Sequence, residues 1–562
     1  MTAALVEVDD LTFRYRRASE PALRSISLTI EPGEILLVAG PSGCGKSTLI
    51  RAINGLIPHA YPGELSGHVL VDGHATTDLR LREIARTVGT MLQDPAKQIV
   101  GATVEAELAF GPENFGVPRD EIVDRIREVI GRTGIDALAG RETAALSGGE
   151  RQLVAAAGIL MMRPKLYVVD EPLANLDPAT AQRLLALLRT LADEGHAVVI
   201  VEHRVEEALE LRPDRVLYLD DGRARYLGDV AGFLQVADPE AVRLPFEVIL
   251  ERARLAATPA GRAAGPAGDA ASSSAPAAVG GSTASPDDGP RLEYRDVWAG
   301  YGERVVLRGV NASFGRRETV AVLGPNGSGK TTLFRTAMKL MEATAGEVLV
   351  EGRPIRDRTV PQLATVFGYV FQSPSQMLFA RTVREELVFG PRNLGRDPSV
   401  FDDLVTEVLR RTSLDDLEDI RDRPPLTLSF GQQKRLALAI ALALQPPGLI
   451  LDEPSAGQDH RTANRFLREV ATIPDLESLY LVTHDVDLAL THADRILLMR
   501  EGEVVADGPP SAVIADEESW IACNLRLTSL LRANARWRPS QGRLLDAEAL
   551  ARQIVHAQGA PA

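Results

Sequence analysis

The chain has 562 residues, which is too long for one hydrophobic core and suits roughly two to four domains. Hydrophobic residues make up 45% of it and charged residues 25%, as in soluble globular proteins. The formal charge of −15 and the pI near 5.3 argue against a nucleic-acid surface as the main partner. Apolar stretches such as residues 436–444 are far shorter than the roughly 20 residues that span a bilayer, so we expect any membrane role to need a partner.

A glycine-rich turn occurs twice, at residues 40–47 and 324–331. Each copy follows an apolar run, 35–39 or 320–323, that predicts a buried strand. A strand leading into such a turn lets backbone N–H groups bind phosphate oxygens at a helix N-terminus, while the lysine reaches the β- and γ-phosphates and the next hydroxyl holds Mg²⁺. The predicted phosphate-binding residues are Gly40, Pro41, Ser42, Gly43, Cys44, Gly45, Lys46, Ser47 and Thr48, and then Gly324, Pro325, Asn326, Gly327, Ser328, Gly329, Lys330, Thr331 and Thr332. We call residues 40–47 and 324–331 the phosphate loops.

The cysteine content favours a reducing, cytoplasmic setting. Cys44 and Cys523 are the two cysteines of the chain. Because Cys44 lies inside the first phosphate loop, a disulfide there would obstruct a nucleotide. The first residues of the chain also do not follow the pattern of a signal peptide.

The repeat extends well beyond the phosphate loops. Several further residue pairs recur at offsets of 279 to 282 positions, close to the 284 that separates the loops. Near-constant offsets over such a distance predict two copies of one domain with few insertions between motifs. The pairs are Gln93 and Gln372, Ser147 and Ser429, Asp170 and Asp452, and His203 and His484.

Composition changes set the predicted domain boundaries. The first domain is expected at residues 1–255 and the second at 291–511. Residues 256–290, rich in Ala, Gly, Ser and Pro, lack apolar periodicity and are predicted to form a flexible linker. Residues 512–562 form a separate C-terminal extension, in which 546–555 has the pattern of a short amphipathic helix.

Each half also contains an apolar strand that ends in two acids, Asp170-Glu171 and Asp452-Glu453. Ligands of open α/β folds bind at the carboxyl ends of parallel strands, where these carboxylates would lie. The Asp can assist Mg²⁺ coordination, and the Glu can polarise an attacking water. Such a pair alone is as often a solvated strand end, but its presence beside a phosphate loop in both halves favours the catalytic interpretation.

The segments 146–150 and 428–432, called the signature segments, each place a serine 23 residues before the Asp of the same half. A serine with small neighbours that opens a helix can bind phosphate, although alone it is more often a simple helix cap. The order of phosphate loop, glutamine, signature segment, Asp-Glu pair and histidine resembles the ATP-binding cassette of ABC transporters. The resemblance covers nearly the whole chain except the linker and the extension.

The resemblance implies an α/β fold: two P-loop NTPase domains of ABC type in tandem, each a RecA-like core with an antiparallel β subdomain and a helical signature subdomain. It implies that each ATP lies between the phosphate loop of one half and the signature segment of the other. One site would join Lys46, Ser47, Gln93, Asp170, Glu171 and His203 with Ser429, Gly431 and Gln432. The other would join Lys330, Thr331, Gln372, Asp452, Glu453 and His484 with Ser147, Gly148, Gly149 and Glu150.

The family pattern also implies individual roles. Glu171 and Glu453 would be catalytic together with Gln93, Gln372, His203 and His484, the histidines contacting the γ-phosphate and water. Mg²⁺ would be held by Ser47, Gln93 and Asp170 in one site and by Thr331, Gln372 and Asp452 in the other. Tyr15 and Tyr301 would stack on adenine, with a packed strand aromatic as the alternative.

Three positions depart from the family pattern. Glu150 stands where Gln is usual, Phe430 where Gly is usual, and Gln458 where Leu is usual. None of these changes removes a catalytic group. We therefore expect both sites to hydrolyse ATP, at rates that can differ.

The segments 103–116 and 382–395 share nine of fourteen residues, in the pattern Thr-Val, then Phe-Gly-Pro, then Asn and Gly. They are similar to the ATPase subunits of energy-coupling factor (ECF) importers, which take up vitamins or transition-metal ions. That resemblance implies a membrane coupling subunit, a small substrate-binding membrane subunit and a place at the cytoplasmic face of the cell membrane. The acidic residues nearby, Glu105, Glu107, Glu385 and Glu386, are candidates to meet basic coupling helices, with solvated helix charges as an equal alternative.

Other twin ATPases remain as alternatives. The ATPases of sugar or peptide importers are the nearer one, although one of their sites is often degenerate and both sites here retain their motifs. A soluble twin ATPase acting on ribosomes or DNA is disfavoured by the short linker of small residues and by the lack of zinc-type cysteine pairs. A nucleotide sensor without hydrolysis is disfavoured by the two glutamates after the motif aspartates.

Overall fold

The computed structural model describes residues 4–16, 18–173, 176–257, 289–302, 304–455, 458, 460–523, 525–537 and 544–559. It divides into two compact units. The first is Met1–Arg252 with Asp459–Arg461, and the second is Ala253–Gln458 with Thr462–Ala562. Residues 258–288 of the predicted linker lie outside the described residues.

The described residues of the first unit form ten strands in two sheets. The strands are β1 Val6–Tyr15, β2 Leu23–Ile30, β3 Ile35–Ala39, β4 Gly63–Val71, β5 His74–Ala75, β6 Val88–Met91, β7 Leu166–Asp170, β8 Ala197–Val201, β9 Arg215–Asp220 and β10 Arg223–Gly228. The smaller sheet is antiparallel, in the order β2-β1-β4-β5. The larger has the order β10-β9-β3-β8-β7-β6, and all its pairs are parallel except that of β10 with β9.

Burial along the strands follows from these two sheet types. β3, β7 and β8 are buried along their whole length, as expected for parallel strands that are covered on both faces. In β2, buried and more exposed residues largely alternate, which places one face of the antiparallel sheet on the core. The apolar residues of both sheets meet in one core that also receives the helix after the first phosphate loop.

The helices of the first unit are α1 Lys46–Ile53, α2 Leu56–His59, α3 Leu81–Thr87, α4 Val104–Asn114, α5 Arg119–Thr133, α6 Gly148–Leu160, α7 Pro178–Asp193, α8 Val205–Ala208, α9 Val230–Val236 and α10 Phe246–Ala257. Short 3₁₀ helices occupy Pro95–Lys97, Asp136–Leu138, Thr143–Ala145 and Leu209–Leu211. α4, α5 and α6 pack against one another and form the helical part between β6 and β7. The chain enters this helical part after Gln93 and leaves it at the end of α6, which begins within the first signature segment.

The second unit repeats this arrangement. Its strands are β11 Leu292–Tyr301, β12 Arg304–Phe314, β13 Thr319–Leu323, β14 Ala343–Val350, β15 Arg353–Pro354, β16 Phe367–Val370, β17 Gly448–Asp452, β18 Ser478–Val482, β19 Arg495–Arg500 and β20 Glu503–Gly508. They form an antiparallel sheet, β12-β11-β14-β15, and a larger sheet, β16-β17-β18-β13-β19-β20. In the larger sheet only β20 runs antiparallel to its neighbour.

The helices of the second unit are α11 Lys330–Ala337, α12 Val360–Ala364, α13 Val383–Asn393, α14 Phe401–Arg411, α15 Phe430–Leu442, α16 His460–Ala471, α17 Val486–His492, α18 Pro510–Ala515, α19 Glu517–Ala522, α20 Ser529–Trp537 and α21 Ala547–Gly559. Its 3₁₀ helices are Ile355–Asp357, Pro374–Gln376, Pro398–Val400, Ile420–Asp422 and Pro425–Thr427. Two α/β units, each with an antiparallel sheet and a helical part, confirm the predicted fold class.

The C-terminal extension packs into the second unit. Trp520 and Cys523 are buried and belong to the same apolar core as the helices α14 and α15. Thr528 donates a hydrogen bond to the buried Asp487 of α17 at 2.5 Å. The predicted amphipathic helix at 546–555 corresponds to α21. None of the helices in the described part of the chain has the length and apolar character needed to cross a bilayer.

Candidate functional sites

The larger sheet of each unit brings the predicted motifs to one edge. In the first unit β3 ends at the phosphate loop, β8 precedes His203, β7 ends at Asp170 and β6 precedes Gln93. These strands are parallel and adjacent, so their carboxyl ends meet. In the second unit β13, β18, β17 and β16 place the corresponding residues in the same way.

Both phosphate loops close around their own lysine. Lys46 Nζ donates to the carbonyl oxygens of Gly40 and Pro41, both at 2.7 Å. Lys330 Nζ does the same in the second loop, at 2.7 Å to Gly324 and 3.0 Å to Pro325. The lysines are thereby held at the centre of each loop, where their charge favours anions.

Glycine is required in these loops for steric reasons. Gly40 has a φ of +150°, and a Cβ there would collide with the carbonyl oxygen of Leu219. Gly45 has a φ of +107°, and a Cβ there would lie 2.5 Å from the carbonyl oxygen of Ala22. Backbone of the neighbouring strand and loop therefore approaches the turn too closely for any side chain.

Two of the three residues predicted to hold Mg²⁺ in each unit, the hydroxyl residue and the aspartate, lie beside each other. Asp452 accepts hydrogen bonds from Thr331 Oγ1 at 3.1 Å and from Tyr369 Oη at 2.9 Å. Asp170 accepts a hydrogen bond from the hydroxyl of Ser47, and the Oδ1 atom of Asp170 is buried without a hydrogen-bond partner. A hydroxyl and a carboxylate with an unsatisfied oxygen are ligands that suit Mg²⁺. Burial raises the pKa of Asp170, and burial together with Glu453 raises that of Asp452 to about 6.

The two predicted catalytic glutamates have an unusual backbone conformation. Glu171 and Glu453 have φ values of +48° and +51°, in the left-handed region, which costs about 1 to 2 kcal/mol for a residue with a side chain. The conformation is held by backbone hydrogen bonds from Glu171 N to Val201 O at 2.9 Å and from Glu453 N to Val482 O at 2.7 Å. Each glutamate is thus fixed to the strand that leads to its histidine.

The side chains around these glutamates differ between the units. Glu171 accepts a hydrogen bond from Gln93 Nε2 at 2.6 Å and lies 4.0 Å from His203 Nδ1. Glu453 instead lies 2.9 Å from His484 Nδ1. Burial raises the pKa of the Glu453 carboxyl, but His484, Lys330 and Thr483 together lower it by more, so that the net shift is downward. Gln372, the counterpart of Gln93, is exposed after β16.

Both signature segments form capped helix N-termini. Ser147 and Glu150 exchange side-chain and backbone hydrogen bonds at the start of α6, and Ser429 and Gln432 do so at the start of α15. Glu150, which departs from the family pattern, pairs with Arg141 at 2.7 Å. Backbone and side-chain hydrogen bonds and this arginine lower the pKa of Glu150 despite its partial burial, so it stays ionised.

The predicted adenine-stacking tyrosines lie at the ends of β1 and β11. Tyr15 Oη is 3.1 Å from Thr48 Oγ1 and accepts a hydrogen bond from Arg51 at 2.8 Å. Tyr301 accepts one from Arg335 at 3.0 Å and is 51% exposed. Both tyrosines therefore lie beside the helix that follows their phosphate loop.

One sequence-based interpretation is wrong for two of its four residues. Glu107 and Glu386 are buried, and each accepts two backbone N–H groups from the preceding loop, at 2.7 to 2.9 Å. They therefore stabilise the loops and are not available to meet a basic partner. Glu105 remains exposed, and Glu385 pairs with Arg381 at 3.1 Å.

Sequence analysis did not single out two pairs of buried polar residues, one directly before the histidines and one in the helices α6 and α15. Glu202 stands where Thr483 stands in the other half, and Gln152 stands where Lys434 does. Alignment of the two halves would have exposed these differences at offsets of 281 and 282 positions. Burial raises the pKa of Glu202 to about 8, with Arg204 opposing and Glu171 reinforcing that shift.

Comparison with known proteins is decisive for the family. The model of the ABC transporter family matches residues 23–174 and 307–456, one match in each half. The chain belongs to the ABC transporter ATP-binding proteins. Members of this family are ATPases coupled to transport. The family domain that occurs in both halves therefore confirms the enzyme class predicted from the motifs.

Relatives of similar length are also ABC transporter ATP-binding proteins. One from Methanosarcina mazei is 34% identical over 552 residues, covering 93% of this chain and 92% of the relative. One from Streptococcus pneumoniae is 32% identical over 538 residues, covering 94% and 95%. A solved structure, cbiO1 from Clostridium perfringens, described as part of the ABC transporter complex cbiONQ, is 32% identical over 42% of this chain and 96% of that chain, with a TM-score of 0.38.

Proposed function

We propose that this ABC ATPase is the energy-coupling subunit of an ECF-type importer, acting at the cytoplasmic face of the cell membrane. It would power the uptake of a vitamin or a transition-metal ion through a membrane coupling subunit and a small substrate-binding membrane subunit. The observation that carries this proposal is the repeated segment 103–116 and 382–395, which has the ECF pattern in both halves. In the fold this segment follows the glutamine and forms α4 or α13.

The chemistry proposed for each site is ATP hydrolysis. The phosphate loop and its lysine bind the phosphates, and Glu171 or Glu453 orients and polarises the attacking water. His203 or His484, next to these glutamates, would contact the γ-phosphate. Mg²⁺ bound by the hydroxyl of Ser47 or Thr331 and the neighbouring aspartate would neutralise charge on the phosphates. We also propose that the signature segment of one half completes the site of the other.

The proposed docking surface for the coupling subunit is apolar. Val100 and Phe110 in the first unit are 67% and 47% exposed, and their counterparts Phe379 and Phe389 in the second are 65% and 46% exposed. The rings of Phe379 and Phe389 lie 4.8 Å apart, edge to face. Exposed apolar residues that recur in both halves support a pair of equivalent contacts with an apolar helix surface of the membrane partner.

Affinity purification of the tagged chain from its native membranes tests this proposal. An ECF-type complex would contain one coupling protein and a small membrane protein that retains its vitamin or metal ligand. Mass spectrometry of the recovered membrane proteins and their bound ligand distinguishes the candidates. Recovery of two permeases together with an extracellular sugar- or peptide-binding protein would replace the ECF assignment with that of another ABC importer.

A further inference from the structure

The two ATP sites differ at one fully buried position that directly precedes the histidine. Glu202 occupies it in the first unit and Thr483 in the second, and both side chains have 0% exposure. A buried carboxyl group has two oxygen atoms that need hydrogen-bond partners, where a hydroxyl has one. The partners of Glu202 therefore indicate what it does.

The side-chain carboxyl group of Glu202 joins the two loops that carry the first pair of glutamate and histidine. Its Oε1 accepts the backbone N–H of Leu173 at 2.9 Å, in the loop after Glu171. Its Oε2 accepts the backbone N–H groups of His203 at 3.2 Å and of Arg204 at 3.4 Å. The arginine reinforces the same connection, because Arg204 Nη1 donates to the carbonyl oxygen of Leu173 at 2.9 Å.

In the second unit the catalytic glutamate itself receives the equivalent contacts. Thr483 Oγ1 donates to Glu453 Oε2 at 3.1 Å, and the backbone N–H of His484 donates to the same oxygen at 3.4 Å. The His484 imidazole completes the set at 2.9 Å. Glu453 is thus tied to the histidine loop by three contacts.

The first unit distributes these contacts differently. The backbone N–H of His203 goes to Glu202 instead of Glu171, and the His203 Nδ1 atom lies at 3.9 Å from Glu202 and 4.0 Å from Glu171. Glu171 accepts a hydrogen bond from the side-chain amide of Gln93 at 2.6 Å. The 2.9 Å contact between glutamate and histidine in the second unit is a 4.0 Å separation in the first, where the side chain of Glu202 connects the two loops.

We propose that Glu202 is a positioning residue of the first ATP site, which holds the His203 loop so that Glu171 remains turned toward Gln93. The inference rests on ATP hydrolysis at both sites, as proposed above. It means that the two sites position their catalytic glutamates differently: the first through the buried Glu202 side chain, and the second through direct contacts of Glu453 with the histidine loop. Exchange of Glu202 and Thr483 should therefore affect each site separately.

Vanadate trapping of a photoreactive ATP analogue measures turnover at each site in the intact chain. Trapping requires hydrolysis, and mass spectrometry of the labelled peptides assigns the label to the first or the second half. We expect Glu202→Thr to lower trapping in the first half about fivefold or more, because misplacement of a catalytic group by a fraction of an ångström is enough for such a loss. Trapping in the second half should stay within about twofold, since its own glutamate contacts are unchanged.

Kinetics separate a positioning role from a merely structural one. In a Glu453→Gln background, Glu202→Thr should lower kcat with little change in KM for ATP, and Glu202→Gln should retain more activity because it keeps one acceptor oxygen and the shape. Glu251→Thr, which replaces an exposed carboxylate on α10, is the matched control.

Equal label in both halves of the Glu202→Thr variant, at the level of the parent chain, would overturn the inference. A parallel loss in both halves would also overturn it, because it would indicate a general effect on folding. Absence of trapping in the unaltered chain would instead contradict the proposed hydrolysis itself. The two failures are therefore distinguishable.

Discussion

The imidazole Nδ1 of His484 lies 2.9 Å from a carboxylate oxygen of Glu453. The corresponding atoms of His203 and Glu171 are 4.0 Å apart. Both pairs lie at the carboxyl ends of adjacent parallel strands, so the difference arises from side chains and not from the fold. The duplicated motifs thus form two sites of the same architecture, in which the glutamate and histidine proposed to be catalytic are arranged differently.

Replacement of both catalytic glutamates should separate binding from hydrolysis. In the double variant Glu171→Gln and Glu453→Gln, the phosphate loops are unchanged, so ATP should still raise the melting temperature. Turnover should fall by about 10²- to 10⁴-fold, because the group that polarises the water is lost. Phosphate release and thermal melting with ATP measure the two effects, and a double variant that hydrolyses ATP at the parent rate would contradict the assignment.

The steric requirement for glycine in the phosphate loop can be tested directly. Gly40→Ala should abolish nucleotide binding in the first half, because its Cβ would collide with backbone. Gly73→Ala, outside the loop in the turn between β4 and β5, is the control: its Cβ would meet nothing within 4 Å, and only its φ of +76° disfavours a side chain, at about 1 kcal/mol. Hydrogen exchange of peptides from the first half, with and without ATP, measures binding; equal protection in both variants would show that the steric argument fails.

Lys434 should make the stability of the second unit depend on pH. It is 4% exposed and donates to the Pro454 carbonyl oxygen at 2.8 Å. Burial lowers its pKa to about 7, although Glu453 opposes the shift. In the unfolded chain this lysine has a pKa of about 10.4. Between pH 7 and about 10.4 the lysine is therefore protonated in the unfolded chain and neutral in the folded chain, so the free energy of unfolding rises with pH.

Lys434→Gln, which introduces the residue found at the equivalent position 152, removes this titration. The unfolding free energy of the parent should rise relative to that of the variant by about 1 kcal/mol per pH unit between pH 7.5 and 9.5. Denaturant unfolding of both proteins at several pH values measures the difference. Parallel stability curves would show that Lys434 is not deprotonated in the folded state.

The apolar docking surface predicts which substitutions disrupt assembly. Val100→Asp combined with Phe379→Asp should reduce recovery of membrane partners about tenfold or more, because a charge replaces two exposed apolar side chains that the proposed complex would bury. Val236→Asp combined with Ile521→Asp changes similarly exposed residues, at 52% and 68%, elsewhere in the units. If both double variants recover equal amounts of partner, the docking surface lies elsewhere.

The sequence predicted the motifs because an apolar run followed by a motif residue is a local pattern. Their place at the carboxyl ends of the strands followed from the general rule for ligand sites in open α/β folds. Apolar runs followed by glycine, acid or histidine identify the ends of β3, β7 and β8 without any structure. The roles of Glu107 and Glu386 could not be predicted in this way, since a surface and a buried carboxylate on a helix have the same sequence signal. The structure shows that both glutamates are buried and that each accepts hydrogen bonds from backbone N–H groups of the preceding loop.

The same limit applies to the difference between the two sites. Glu202 and Thr483 both precede a motif histidine, and no periodicity indicates which backbone groups they contact. Their partners are set by the close approach of two loops that are about 30 residues apart in the chain. The C-terminal extension is a further case, because its amphipathic pattern predicts a helix but not the core that it joins.

ATP-driven uptake by the purified complex in proteoliposomes tests the central claim most directly. With the chain on the side supplied with ATP, vesicles containing the membrane coupling and substrate-binding subunits should accumulate the vitamin or metal ion. The Glu171→Gln and Glu453→Gln double variant should abolish accumulation without loss of assembly. Uptake that continues in the double variant, or that requires an extracellular binding protein, would contradict the account.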